Sequence, residues 1–139
     1  MRLASIEIRN FRAVRSLTLP LDPELTVFHG RNANGKTSIL AAIAVGLGII
    51  PSILTGRGGM NFRKSKDIRA GETTAYVRLQ TLDGLEWARA ASQVGGLLAL
   101  HSARFPGMKE LREALTVLAE DLKEGREVTL PIFAFYDTD

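Results

Sequence analysis

The sequence predicts an α/β fold, and three observations carry that prediction. A β-prone run, Leu25-Thr26-Val27-Phe28, leads into a segment bounded by Gly30 and Gly35, which runs on into an apolar helix. The first ten residues alternate in polarity with a period of two, as a half-buried strand does. Asp83-Gly84 separates two further β-prone runs and is a strong hairpin signal, so part of the sheet is antiparallel.

Taken in order, Ile6 and Ile8 lie on one face of the first strand, with Ser5, Glu7 and Arg9 opposite, and Asn10-Phe11-Arg12 breaks it. Val14, Leu17 and Leu19 form a second short strand, ended by Pro20 and Pro23. Leu25 to Phe28 is a buried strand. Thr37 to Val45 is apolar on nearly every side and reads as a buried helix, ended by Gly46 and Gly48. Residues 46 to 66 are glycine-rich and then basic, a mobile surface loop carrying Arg57, Arg63, Lys64 and Lys66. Thr73 to Thr81 and Leu85 to Ser92 are the arms of the hairpin, and Gly95-Gly96 opens another loop. Met108, Leu111, Leu115, Leu118 and Leu122 recur at helical spacing, so Met108 to Glu124 is an amphipathic helix with Gly125 as its stop. Val128 to Phe135 is a final strand.

The chain of 139 residues is long enough for one domain with a sizeable core. It holds no cysteine, which excludes disulfides and cysteine-rich zinc sites, and its two histidines, His29 and His101, are too scattered for a metal site. The longest apolar run, Ile39 to Leu54, is interrupted by glycines and Pro51 and falls short of a membrane span. Glu7 sits where a signal peptide would be apolar. The expectation is a cytoplasmic protein with no membrane partner. A net charge of +3 permits an acidic partner such as DNA without demanding one.

Gly30-Arg31-Asn32-Ala33-Asn34-Gly35-Lys36-Thr37 fits G-x-x-x-x-G-K-[ST], the Walker A pattern of P-loop NTPases, in full. Its fixed residues would recur by chance in roughly one chain in 200 of this length, and the strand–loop–helix context makes a fortuitous match rarer still. The glycines let the backbone curl so that successive N–H groups face phosphate oxygens, and the loop opens a helix whose positive end faces the same anion. Lys36 reaches the β- and γ-phosphates, the Thr37 hydroxyl coordinates Mg²⁺, and Ser38 bonds the α-phosphate. ATP with Mg²⁺ is the expected ligand. Asn32 and Asn34 either touch the γ-phosphate or only shape the loop, and Arg31 reads as solvent-facing charge.

The opening is similar to the N-terminal segment of SMC/RecF/OLD-type ABC ATPase heads. The residues that carry this are Ile6-Glu7-Ile8-Arg9-Asn10-Phe11-Arg12, Leu17-Thr18-Leu19, the run from Leu25 through the loop, and Ser38 to Ile43. Asp67 to Glu72 with Ala75 to Leu79 resembles a second segment of these heads, and Leu130 to Asp139 looks like a strand of bacterial AAA-type predicted ATPases, relatives of which occur in anti-phage defence. Asp137 stands where that group has glycine, and Thr138 where a Walker B strand would carry its catalytic glutamate. Gly95-Gly96 lacks the serine of an ABC signature.

The resemblance implies that residues 1–139 are one ATP-binding lobe, an incomplete head lacking signature and Walker B motifs, with a P-loop core and an antiparallel β-subdomain. It implies a second ATPase head as partner, either a homodimer mate or a complementing C-terminal lobe, and DNA or a nuclease effector beyond that. It brings Arg12 to the nucleotide. Gln80 and Gln93 are candidates for a residue orienting the attacking water. Gln80 reads better as a mid-strand residue, and Trp87 as a packing residue rather than an adenine stacker. The function expected is ATP-driven head dimerisation coupled to DNA repair or phage defence. The alternatives are a transporter-type ATPase subunit, disfavoured by the Asn10-Phe11-Arg12 start, and a nucleotide-binding module that does not hydrolyse.

Overall fold

Alternation in the first twenty residues becomes a hairpin in which β1 (Leu3–Phe11) and β2 (Val14–Pro20) pair antiparallel. The structure is a computed structural model and describes residues 1–31, 35–94 and 107–136. The Asp83-Gly84 hairpin forms as expected, joining β3 (Thr74–Thr81) to β4 (Glu86–Ser92). Among the described residues the sheet has four strands in the order β2-β1-β3-β4, every neighbouring pair antiparallel.

Register sorts the side chains into two faces. Leu19, Ile6, Leu79 and Trp87 line up across the sheet, and Leu17, Ile8, Val77 and Arg89 form the next row. Ile6, Ile8, Val77, Leu79 and Trp87 of these rows are buried. Burying each such side chain contributes about 1.5–3 kcal/mol. The opposite face carries Glu7, Arg9, Tyr76 and Arg78. Glu7 accepts a hydrogen bond from Arg9 (Nε to Oε1, 2.7 Å) and forms an ion pair with Arg78 (2.6 Å), while the Arg9 guanidinium lies 5.7 Å from the Tyr76 ring centre. A sheet apolar on one face and polar on the other is the usual antiparallel solution.

Helices cover the apolar face. α1 (Lys36–Leu47) packs on β1, β3 and β4 through Ile39, Ala42 and Val45. Its composition predicts burial all round, but only one face meets the sheet. Its other face, with Leu40, Ile43, Ala44 and Leu47, lines a groove of about 270 Å³ shared with Phe133 and Phe135. Gly46 does not end α1; it lies inside the helix, and Gly48 is the cap. The expected loop from 46 to 66 is largely helical, with α2 (Ile49–Thr55) and α3 (Lys64–Asp67) leaving an irregular stretch only at 56–63. Pro51 falls in the first turn of α2, where its missing N–H costs nothing. Gly48 is required by close approach, since a Cβ there would sit 1.9 Å from the Met60 carbonyl oxygen.

Together Lys36–Thr55 is apolar and long enough to cross a bilayer by length and composition. The helix breaks at Gly48, and 44% of its apolar window is buried within the fold. α4 (Met108–Lys123) forms as the heptad-like spacing predicts, with Leu111 and Leu115 buried and packed toward β4 and α2, and with Gly125 just beyond its end.

Two expected strands do not form. Leu25 to Phe28 is not a strand, and Leu25 (72% exposed) and Val27 (68%) face solvent. The carboxylate of Asp22 accepts from the backbone N–H of Glu24 (2.8 Å) and Leu25 (3.0 Å), and Thr26 Oγ1 accepts from Asp22 N–H (2.8 Å). This local turn takes the Leu25 N–H, the first donor a ladder would use. The same two N–H bonds hold the Asp22 carboxyl below its ordinary value. Residues 128 to 135 are likewise irregular, with Ile132 92% exposed. Their β-propensity finds no strand to pair with among the described residues, and propensity without a partner does not make a strand.

Candidate nucleotide-binding site

The site is built at the start of α1. Gly30 has φ 148° and Gly35 has φ 84°, conformations that side chains with a Cβ rarely adopt. Gly35 is the N-cap, and the first helical hydrogen bond runs from Ile39 N–H to its carbonyl (2.9 Å). The N–H groups of Lys36, Thr37 and Ser38 thus precede the first helical donor and have no intrahelical acceptor. No acidic residue lies in this first turn to compete with an anion.

Lys36 curls back over the loop. Its Nζ donates to the carbonyls of Gly30 (2.5 Å) and Arg31 (2.7 Å), which brings an ammonium back to the start of the segment. Thr37 is exposed and Ser38 buried at 7% exposure. Arg31 is exposed, as its reading as surface charge expects. Asn32, Ala33 and Asn34 lie outside the described residues, as do Asp137, Thr138 and Gly95-Gly96.

The β1–β2 turn lies alongside. Ala13, Val14, Arg15, Ser16 and Leu17 line a groove of about 410 Å³ with Gly35 and Ile39. Arg12 belongs to this turn and has a left-handed backbone, φ 49°. Its Nε donates to Asp67 Oδ1 (2.8 Å), its backbone N–H donates to the Asp67 carbonyl (2.9 Å), and its guanidinium lies 5.4 Å from the Phe11 ring centre. Asp67 is 1% exposed.

Other candidates fall elsewhere. Gln80 is on the polar face of β3 and accepts a hydrogen bond from Ser5 Oγ (3.3 Å). Gln93 follows β4 and is exposed, its backbone N–H bonded to the Thr73 carbonyl. Trp87 is fully buried, as a packing residue, and its indole N–H donates to the Gly46 carbonyl (2.9 Å). Arg57, Lys64 and Lys66 are exposed, and Arg63 is exposed along its side chain (47%).

Two residues have roles that motif and spacing do not reveal. Asp67 stands in the sequence only as part of a resemblance, with no role of its own. Arg89 carries a signal of its own: the period-two pattern sets it in phase with Trp87 and Ala91 on the apolar face, where a cation is out of place. Its Nη1 donates to the carbonyls of Val45 and Met60, the latter at 2.9 Å, and its Nη2 donates to Asn61 Oδ1. Burial pushes its guanidinium below the ordinary arginine value.

Glycines with positive φ at both ends of the segment, a lysine folded back toward its start and a helix with a free first turn are features that a phosphate-binding loop requires. Residues 1–47 match the AAA ATPase domain family. The N-terminal segment is also similar to the DNA replication and repair protein RecF. Identity is 51% over 43 residues with RecF of Lactococcus lactis subsp. lactis (strain IL1403), and 49% over 43 residues with RecF of Listeria monocytogenes serotype 4b (strain CLIP80459). Each match covers 31% of this chain and 12% of the relative. Among solved structures, the recombination mediator RecF bound to ATP aligns at 23% identity and TM-score 0.48 over 65% of this chain and 24% of that one. A structure described under ATP-driven dimerisation and DNA-stimulated activation of SMC ATPases aligns at 18% identity and TM-score 0.44, over 74% of this chain and 79% of that one.

Proposed function

We propose that this chain is the ATP-binding lobe of a cytoplasmic SMC/RecF-like ATPase that works on DNA. The observation that carries the reading is the Gly30–Thr37 sequence motif at the head of α1, with Lys36 Nζ bonded back to the Gly30 and Arg31 carbonyls. In this reading the first-turn N–H groups bind the phosphates, Lys36 neutralises the β- and γ-oxygens, and Ser38 assists at the α-phosphate. Arg31, Asn32, Ala33 and Asn34 complete the loop, and Arg12 approaches from the neighbouring turn.

The Thr37 hydroxyl is a hard oxygen donor suited to Mg²⁺, which keeps waters and phosphate oxygens as its other ligands. Among the described residues no group of three or more His, Cys, Asp or Glu could cage a metal. When bound, the ion screens the triphosphate charge.

Residues 1–139 act as one lobe in this reading. A signature motif and a catalytic carboxylate come from a complementing C-terminal lobe or a second head that closes over the nucleotide. Phosphoryl transfer works by positioning and charge stabilisation, so half a site binds without turning over. The protein carrying only these residues is expected to bind ATP and to hydrolyse it no faster than buffer in a single-turnover assay; brisk hydrolysis as a monomer would refute the half-site reading.

DNA repair is favoured over phage defence by the RecF relatives, and a nuclease effector belongs to the second reading. The exposed Arg57, Arg63, Lys64 and Lys66 supply a surface for sequence-independent phosphate contact. Neutralising Arg63, Lys64 and Lys66 together is expected to reduce the salt slope of DNA binding by about 2–3. An unchanged slope would remove this loop from the DNA interface.

A further inference from the structure

We propose that Asp67 is a positioning residue for the nucleotide site, its buried carboxylate fixing the Arg12 guanidinium in the turn that borders Gly35. This rests on the nucleotide-binding reading above. A left-handed backbone at a residue with a long side chain is disfavoured, and persists only where the surroundings over-determine it. At Arg12 the surroundings do so. Asp67 accepts from Arg12 twice, through its carbonyl from the backbone N–H and through Oδ1 from Nε. The neighbouring residues of the turn are tied to the same segment, with Arg69 N–H donating to the Asn10 carbonyl (2.9 Å) and Arg69 Nη1 to the Ala13 carbonyl (2.8 Å).

The pairing also restricts how the guanidinium lies. With Nε anchored and the group lying over the buried Phe11 ring, its plane has little freedom. Among the described residues Arg12 spends only Nε on a side-chain partner, so the donors on Nη1 and Nη2 remain for an anion. The adjoining Ala13 and Val14 form the wall of the groove that Gly35 closes. The other Asp67 oxygen, Oδ2, accepts from the backbone N–H of Arg63 (2.7 Å), at the start of α3. One carboxylate thereby ties the basic loop to the turn beside the phosphate site.

The test is a double-mutant cycle with Mg·ATP binding read by titration calorimetry and folding read by urea unfolding. Asp67→Asn keeps an acceptor for Arg63 but loses the charge that orients Arg12. It is expected to weaken Mg·ATP about tenfold, close to the effect of Arg12→Ala. The two together are expected to cost no more than Arg12→Ala alone, because Asp67 acts through Arg12. Additive losses, or undiminished binding in folded Asp67→Asn, would overturn the proposal. Should Asp67→Asn fail to fold, Arg12→Lys decides the matter. It keeps a positive charge but cannot donate to Oδ1 while presenting a planar pair of donors. Loss of binding comparable to Arg12→Ala supports the role, and wild-type affinity overturns it. Lys36→Ala in parallel separates the two readings: unimpaired binding there refutes the phosphate loop itself, whereas loss there with full binding in Asp67→Asn refutes only the positioning role.

Discussion

Lys36→Ala is expected to weaken Mg·ATP binding at least about a hundredfold, with little change in the stability of the fold. The reason is local. Lys36 Nζ reaches two loop carbonyls, those of Gly30 and Arg31, both in an exposed setting, so no buried partner is stranded when it is removed. The helix keeps its N-cap geometry, because Gly35 supplies that through its backbone. What disappears is the fixed cation of the motif, which in the proposed reading meets the β- and γ-oxygens. Titration calorimetry with Mg·ATP measures the loss, and urea unfolding of the same variant measures the stability. Wild-type affinity in the variant would remove the central claim. A large fall in stability would mean that the lysine is a structural clip for the loop.

Arg89→Ala is expected to destabilise the fold by about 3 kcal/mol while leaving the phosphate loop chemically intact. The guanidinium closes the C-terminal end of α1 at Val45 and clasps the Met60–Asn61 stretch beside it. A cation near a helix C-terminus interacts favourably with the exposed carbonyls there, and α1 has no basic residue of its own in its last turn. Truncation removes the packed stem and leaves the three acceptors to be rehydrated in a confined space. Arg89→Met restores the stem without the donors and should recover only part of the loss. Urea unfolding of both variants checks the ordering, and an Arg89→Ala variant as stable as the parent would show that the clasp contributes nothing.

These two residues mark the boundary of what the sequence makes legible. Lys36 belongs to a fixed pattern whose chemistry needs those residue types at that spacing, so it is legible at once. Strands β1 to β4 are legible because their two-residue period reports which face is buried, and α4 because its apolar positions recur at three and four. The role of Arg89 is hidden because it depends on where α1 ends, a fact of packing across forty residues of chain. The stretch from 46 to 66 misleads because glycines and Pro51 suggest a loop, whereas Gly48 serves a close backbone crossing and Pro51 sits harmlessly in a first turn. Leu25 to Phe28 and Val128 to Phe135 mislead for the opposite reason. Their composition favours a strand, but a strand is a relation between two segments, and composition describes only one. The Arg12–Asp67 pair, separated by 55 positions, is unreadable without the fold.

Trp87 and Arg89 stand two residues apart on one face of β4, and each donates to a carbonyl in the last turn of α1. A slip of one residue in the β3–β4 pairing would present Ala88 and Ala90 there instead, and alanine has nothing to donate. The end of the helix therefore proofreads the hairpin. Only the correct alignment presents both donors, so a mispaired sheet loses two hydrogen bonds to an element that takes no part in the pairing. The alignment of the hairpin and the seating of α1 are, in this chain, coupled through these two bonds.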